Sequence, residues 1–357
     1  MRAGARLCPP EPPTPMRKGV ASTVLKRFGL CFLGVAVLAV GAETQERRVI
    51  AVSVVDKEAN FVGGLTTDNF RGEFRGKEVK ILSVEPDTEP RKVIVLVDSS
   101  VDLVPTNFVA SASNASGGNT WQIAWRTASH AVSHLGIAQP TALLTLGDRL
   151  QAETGFTRNT NVLLEKLLSA EARIRAATKA RLESRQPSNV DSQSGILDGV
   201  LSLARDSRIR WRPGDAILVI GTMEDSRSSA KLEGVQKELT QRGLRLFSVW
   251  TNEELTGYQS AHFHKGRFSG KKLSEATGGH WVQAKLTKSS LKRMHKTMKP
   301  LYTMVRYFYQ VEIKVPQNLG KNRKWKLRVV DERGKGMKGV TVAYPRIFLP
   351  LEESQSN

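Results

Sequence analysis

The chain has 357 residues, of which 40% are hydrophobic and 25% charged, and a formal net charge of +20. This composition supplies a sizeable core and excludes both a low-hydrophobicity disordered chain and a polytopic membrane protein. Two cysteines, Cys8 and Cys31, exclude a disulfide scaffold and a four-cysteine zinc site.

The first residues read as a processing signal. Arg17, Lys18, Lys26 and Arg27 precede an uncharged stretch over residues 28–42, which ends in Val40-Gly41-Ala42. A basic, then apolar, then small-residue layout is that of a secretory signal peptide, expected here over residues 1–42. Met16 is a second candidate start, since five of the 15 prolines lie before it. A spanning helix needs about 20 apolar residues, so no permanent membrane span is expected. Cleavage near Ala42 would remove both cysteines, which suits an oxidising compartment. The expected location is secreted or periplasmic.

Residues 43–90 read as an N-terminal β segment. Residues 49–55 are β-rich, 56–60 form a turn, and 70–82 alternate as strands. Residues 91–303 read as an α/β domain. Its apolar runs at 93–97, 141–146, 216–220 and 244–250 are strands, with a shorter strand at 280–283. Helical spacing marks residues 120–135, 159–182, 195–204, 229–241, 271–277 and 286–303. Alternating strands and helices predict a doubly wound, mostly parallel sheet. Residues 304–348 read as a C-terminal β segment with strands at 307–315, 324–330 and 339–348. Residues 349–357 read as a flexible tail. The cheapest way to bury the two β segments is against each other or on the core.

The strand at 93–97 runs into Asp98-Ser99-Ser100-Val101-Asp102. Ligands of open α/β sheets sit at the carboxyl ends of strands, and Asp98 with Ser100 offers hard oxygen donors of the kind Mg²⁺ takes. A plain cap on the following turn explains the same residues.

VIVLVDSSVD resembles the first strand and D-x-S-x-S motif of the von Willebrand factor A fold. VVDKEANFVGGLTTDNFRGEFRGKEVKILSVEP, LSEATGGHWVQA and the closing VRYFYQVEIKVP segment resemble parts of the VWFA-related exported proteins of Acidobacteria. The likeness spans roughly residues 49–348. It implies a von Willebrand factor A-type, Rossmann-like α/β fold with flanking N- and C-terminal β segments. It also implies a metal-ion-dependent adhesion site built from the motif, a Thr in a second loop and an Asp in a third. Asp98 and Ser100 match that pattern. Asp102 replaces the second Ser, Ser194 falls at the Thr, and Thr222 falls at the Asp. The resemblance therefore implies a degenerate site of Asp98, Ser100, Asp102, Ser194 and Thr222. No cofactor is expected, with Mg²⁺ as the alternative, since Asp102 keeps the carboxylate count at two.

His130 and His134 stand four apart on a predicted helix and share a face, yet no third ligand is evident from the sequence. They read as surface or partly buried histidines. His262 and His264 read as solvated loop residues, and Thr277-Gly278-Gly279 as a helix stop and turn. No G-x-S-x-G, P-loop or dinucleotide fingerprint occurs, so no enzyme activity is expected.

The charge is concentrated. Residues 261–340 carry a net +16 and residues 1–42 a net +5, which leaves the remainder near neutral. Lys292, Lys296 and Lys299 share a helical face, and Lys321, Arg323, Lys324, Lys326 and Arg328 surround Trp325. A single-sign field of this kind attracts polyanions, while a solvated face explains it without a ligand. The function expected is an exported non-enzymatic interaction module that binds an envelope or extracellular protein through the strand-end loops 98–119, 184–194 and 221–229. The alternative is a binder of anionic envelope polymers, such as lipopolysaccharide or acidic polysaccharide. Export makes nucleic acid an unexpected partner.

Overall fold

A computed structural model describes residues 46–99, 116–183, 195–223, 225, 228–251, 260–284, 290–316, 319 and 323–349. The strands are β1 (Arg47–Val55), β2 (Phe70–Phe74), β3 (Lys77–Val79), β4 (Ile81–Asp87), β5 (Val93–Asp98), β6 (Thr141–Leu146) and β7 (Leu150–Ala152). They continue with β8 (Ala216–Gly221), β9 (Arg245–Trp250), β10 (Trp281–Gln283), β11 (Phe308–Lys314), β12 (Lys326–Val329) and β13 (Thr341–Ala343). The helices are α1 (Ser116–Ala138), α2 (Thr160–Glu183), α3 (Ile196–Arg205), α4 (Leu232–Gln241), α5 (Ser260–Thr277) and α6 (Ser290–Arg306).

The central sheet has the order β10-β9-β8-β5-β6-β7, parallel throughout except for β7, which folds back antiparallel on β6. β5, β6, β8 and β9 are buried along their whole length because helices cover both faces. Alternation decides which face each residue serves. Val93, Val95 and Val97 join the core under α1, α2 and α6. Ile94 and Leu96 join the core under α3, α4 and α5. This is a doubly wound, mostly parallel α/β sheet. Its strand order reverses at β5, and in open sheets of this kind ligands bind beyond the carboxyl ends of the strands at that point.

The segments before and after this sheet interleave. β1 pairs antiparallel with β11 and with β13, and β11 pairs with β4, in the order β13-β1-β11-β4. β12 pairs with β2, which pairs with β3. Phe70, Phe74, Tyr309, Val311, Trp325 and Phe348 fill a third core with Ile50, Val52 and Val54 of β1. Ser53 of β1 points the other way and hydrogen-bonds the Met304 carbonyl at the end of α6, 3.1 Å.

Arg245, at the start of β9, is buried within this junction. Its Nη1 donates to the Met304 carbonyl (2.6 Å) and its Nη2 to the carbonyls of Val305 (3.0 Å) and Gly214 (2.8 Å). The cation thus closes the carboxyl end of α6, where the helix dipole favours positive charge. Burial lowers its pKa to about 9, so it stays charged at neutral pH. A cleft of about 140 Å³ opens nearby, lined by Pro213, Leu244, Phe308, Trp325 and Phe348 among others. It lies at the amino end of the central strands, away from Asp98.

Two expectations need correction. The helix expected over 271–277 starts at Ser260, so His262 and His264 lie on helical backbone and not in a loop. Gly266 and Gly270 look like breakers in sequence. At Gly270 the glycine instead permits close packing: a Cβ there would stand 3.1 Å from Met223 Cγ and 3.3 Å from Ser248 Oγ. The closing strand expected over 339–348 is only Thr341–Ala343. Pro345 has no amide proton to continue the ladder.

The Thr-Gly-Gly element ends α5 as expected, and its chemistry is specific. Thr277 Oγ1 accepts the Leu246 amide (3.0 Å) and donates to the Leu273 carbonyl (2.9 Å). Gly278 takes φ 78°, a left-handed turn suited to glycine. A Cβ at Gly279 would fall 1.8 Å from the Leu246 carbonyl oxygen, so no side chain fits there.

Candidate functional site at the strand ends

Asp98 closes β5 and is fully buried. Its place depends on its neighbour on β8. A Cβ at Gly221 would lie 2.3 Å from the Asp98 Cβ and 2.9 Å from Oδ2. Glycine at 221 is what lets the carboxylate rest against the end of β8. Thr222, also buried, follows directly, and the amide of Thr251 at the end of β9 donates to the Gly221 carbonyl, 3.0 Å. The Asp98 carboxylate and the Thr222 hydroxyl therefore stand at the ends of adjacent strands.

Met223 has φ 59°, in the left-handed region that glycine enters freely and methionine does not. The Met223 side chain is buried in the core under α3, α4 and α5.

Two described carboxylates near the end of β8, Asp225 and Asp198, are engaged within the protein. Asp225 accepts the Leu197 amide on Oδ2 (2.7 Å) and the Ser228 amide on Oδ1 (2.9 Å). Asp198, in the first turn of α3, accepts the amides of Ser229 and Ala230, both at 2.9 Å. The Ser229 amide, followed by that of Ala230, holds the Asp198 carboxyl below its usual range. Ser228 Oγ accepts the Asp198 amide, 2.9 Å. The loop after β8 and the start of α3 are thus stitched together by reciprocal caps. The sequence reading missed both aspartates. An Asp in a first helical turn is a local signal for Asp198, but the cross-loop partners leave none.

Of the five residues aligned with the metal motif, Asp98 and Thr222 are described, while Ser100, Asp102 and Ser194 lie outside the described residues. Mg²⁺ takes about six oxygen ligands in near-ideal octahedral geometry. One carboxylate and one hydroxyl do not by themselves fit that ion.

The basic residues fall into separate places. Lys326 and Arg328 project from the exposed side of β12, between inward Leu327 and Val329. Their register partners on β2 are Glu73 and Arg71, and Arg328 Nη2 lies 3.4 Å from Glu73 Oε2. Lys324 is exposed and Arg323 half-buried. Lys321 lies outside the described residues. Trp325 is a core residue, with its indole nitrogen donating to the Pro345 carbonyl, 2.6 Å. On α6, Lys296 is exposed, whereas Lys299 donates to the Glu58 carbonyl (2.7 Å) and to Asn60 Oδ1 (2.8 Å). Lys292 lies on the same helix, with its side chain outside the description. The two basic groups stand on different elements, α6 and β12.

No protein-family model and no curated protein matches the chain. Solved structures do. Proximal thread matrix protein 1 from the mussel byssus, with a zinc-occupied MIDAS motif, is 13% identical, and the match covers 65% of this chain and 50% of that one at a TM-score of 0.38. BatB from Bacteroides thetaiotaomicron is 16% identical over 59% of this chain and 98% of its own, with a TM-score of 0.35. The manganese-loaded TRAP protein of Plasmodium vivax is 12% identical over 73% and 95%, with a TM-score of 0.36. The chain spans about half the length of the mussel protein. The fold stands on strand order and register within the chain itself. No described helix is long and apolar enough to cross a membrane.

Proposed function

We propose that the chain is an exported, non-enzymatic interaction module with a degenerate metal-ion-dependent adhesion site. It binds a protein partner through the strand-end face without a metal ion. The observation that carries this reading is the pair of aspartates, Asp225 and Asp198, which fix the loop after β8 through backbone amides. Protein hydrogen bonds hold the face where an ion would otherwise organise it. The order of motifs over residues 49–348 supports membership of the VWFA-related exported proteins of Acidobacteria, and the layout of residues 17–42 supports export to the periplasm or beyond. Among the described strand-end residues no nucleophile, base and orienting group come together, which supports a binding role over catalysis.

The test is capture from envelope extract by the full chain, with and without EDTA. Arg149 and Lys231 are exposed at this face, one in the turn after β6 and the other just before α4. A partner retained in EDTA and lost with the Arg149→Glu/Lys231→Glu variant is the expected result. Capture that needs Mg²⁺, or that ignores the double variant, contradicts the reading.

A second reading is favoured by the outward placement of Lys326 and Arg328 beside exposed Lys324. Such a patch suits anionic polysaccharide or lipopolysaccharide. Glu73 within the same sheet face reduces its net charge.

A further inference from the structure

α1 and α6 pack side by side under the central sheet, and their contact gathers three histidines. His130 and His134 come from successive turns of α1, and His295 comes from α6. One ring nitrogen from each lies within 4.8 Å of the others. The rings of His130 and His134 are stacked with centroids 4.1 Å apart, and the His295 ring lies 5.6 Å and 5.2 Å from them.

The surrounding hydrogen bonds leave nitrogen lone pairs for a ligand. His134 Nδ1 lies 2.9 Å from the His130 carbonyl oxygen. A carbonyl only accepts, so Nδ1 carries the proton and Nε2 the lone pair. His130 Nδ1 lies 2.7 Å from the buried hydroxyl of Tyr302 on α6, which can accept from it in the same way. The Tyr302 ring stacks on both α1 histidines, with centroids 5.5 Å and 5.2 Å away. This is the outer support that metal-bound histidines need: the far nitrogen held by a carbonyl or hydroxyl, and the ring fixed in orientation. His130 and His134 are half-buried and His295 is exposed, so the cluster has an open path to solvent.

We propose that His130, His134 and His295 bind a divalent transition metal, with Zn²⁺ the best match. Three imidazoles are a complete protein donor set for Zn²⁺ with a fourth position open, and they suit it better than they suit Mg²⁺ or Ca²⁺. The nitrogens already lie within 4.8 Å of one another, and local closure to roughly 3.3 Å is what Zn–N bonds of about 2.0–2.1 Å in a tetrahedron require. The site is separate from the strand-end face and takes a different class of ion.

The test is calorimetry with Zn²⁺ alone on the full chain, joined by the visible spectrum of the Co²⁺ form. The expected result is one ion per chain, with the intense visible bands of tetrahedral Co²⁺. His295→Ala, at an exposed position, should weaken binding about 100-fold or more while the melting curve stays unchanged. Tyr302→Phe keeps all three ligands but removes the hydroxyl on His130, and should cost about 10-fold. A His262→Ala/His264→Ala control should bind as the wild type does. No binding by the wild type, or binding that survives His295→Ala, would overturn the site.

Discussion

The guanidinium carbon of Arg245 lies 4.1 Å from the centroid of the Phe308 ring. Arg245 opens β9 of the central sheet, and Phe308 opens β11 of the flanking sheet. The pair joins the two halves of the protein, and the same cation closes the end of α6. Replacing Arg245 with Met would take this donor from the buried carbonyls of Gly214 and Val305 and leave the Met304 carbonyl with Ser53 Oγ. Stability should fall by about 3 kcal/mol. Arg245→Lys should fall nearly as far, since one ammonium cannot reach carbonyls on two sides. Urea unfolding followed by tryptophan fluorescence reads both. A loss below about 0.5 kcal/mol, the range of ordinary surface changes, would show that the junction is held by packing alone.

Metal-free His130 should make the protein acid-sensitive. Burial, followed by the charges of His134 and His295, holds its pKa down to about 4 from 6.5. Tyr302 lies against it, and Arg306 donates to the His134 carbonyl. Between these pH values the unfolded chain binds a proton that the folded chain refuses. The His130 contribution to stability should therefore fall as pH drops from about 6.5 to about 4, below which the depressed carboxyls such as Asp198 take over the loss. Denaturation midpoints of wild type and His130→Gln across this window are the check. The variant should show the shallower slope, and equal slopes would contradict the assignment.

Asp225 fastens the strand-end loop. Asp225→Ala removes acceptors from the Leu197 and Ser228 amides and should cost about 1–2 kcal/mol. The loss should be the same in Mg²⁺ and in EDTA. A loss seen only in Mg²⁺ would mean that the carboxylate serves an ion.

The fold was legible because its signals are local and repeated. The short apolar runs at β5, β6, β8 and β9 read as strands covered on both faces, and the helical spacing between them does the rest. Asp98 was legible for the same reason, as a carboxylate placed directly at the end of such a run. Other features depend on residues distant in sequence. His295 carries no mark tying it to His130 and His134, because α1 and α6 meet only when the sheet is wound. Trp325 reads as an aromatic among cations until β12 turns it inward. His262 and His264 read as loop because an isolated glycine gives the same sequence signal for a break as for close helix packing.

The basic patch on β12 should bind polyanions weakly and with strong salt dependence. Retention on heparin or lipopolysaccharide resin should disappear as salt rises, since charges at the surface are screened over about 8 Å at physiological ionic strength. Changing Lys321, Lys324 and Lys326 to Gln should shift elution to lower salt with no change in melting temperature. Flow-through of the wild type at low ionic strength would leave the charge as a solvated face.

The central claim is that the strand-end face is organised without an ion. Calorimetric titration of the full chain with Mg²⁺ measures this directly, because Mg²⁺ favours oxygen donors and is a poor match for the three histidines. The account expects no saturable heat from the wild type. Micromolar Mg²⁺ binding that disappears in Asp98→Ala or Asp102→Ala would contradict it.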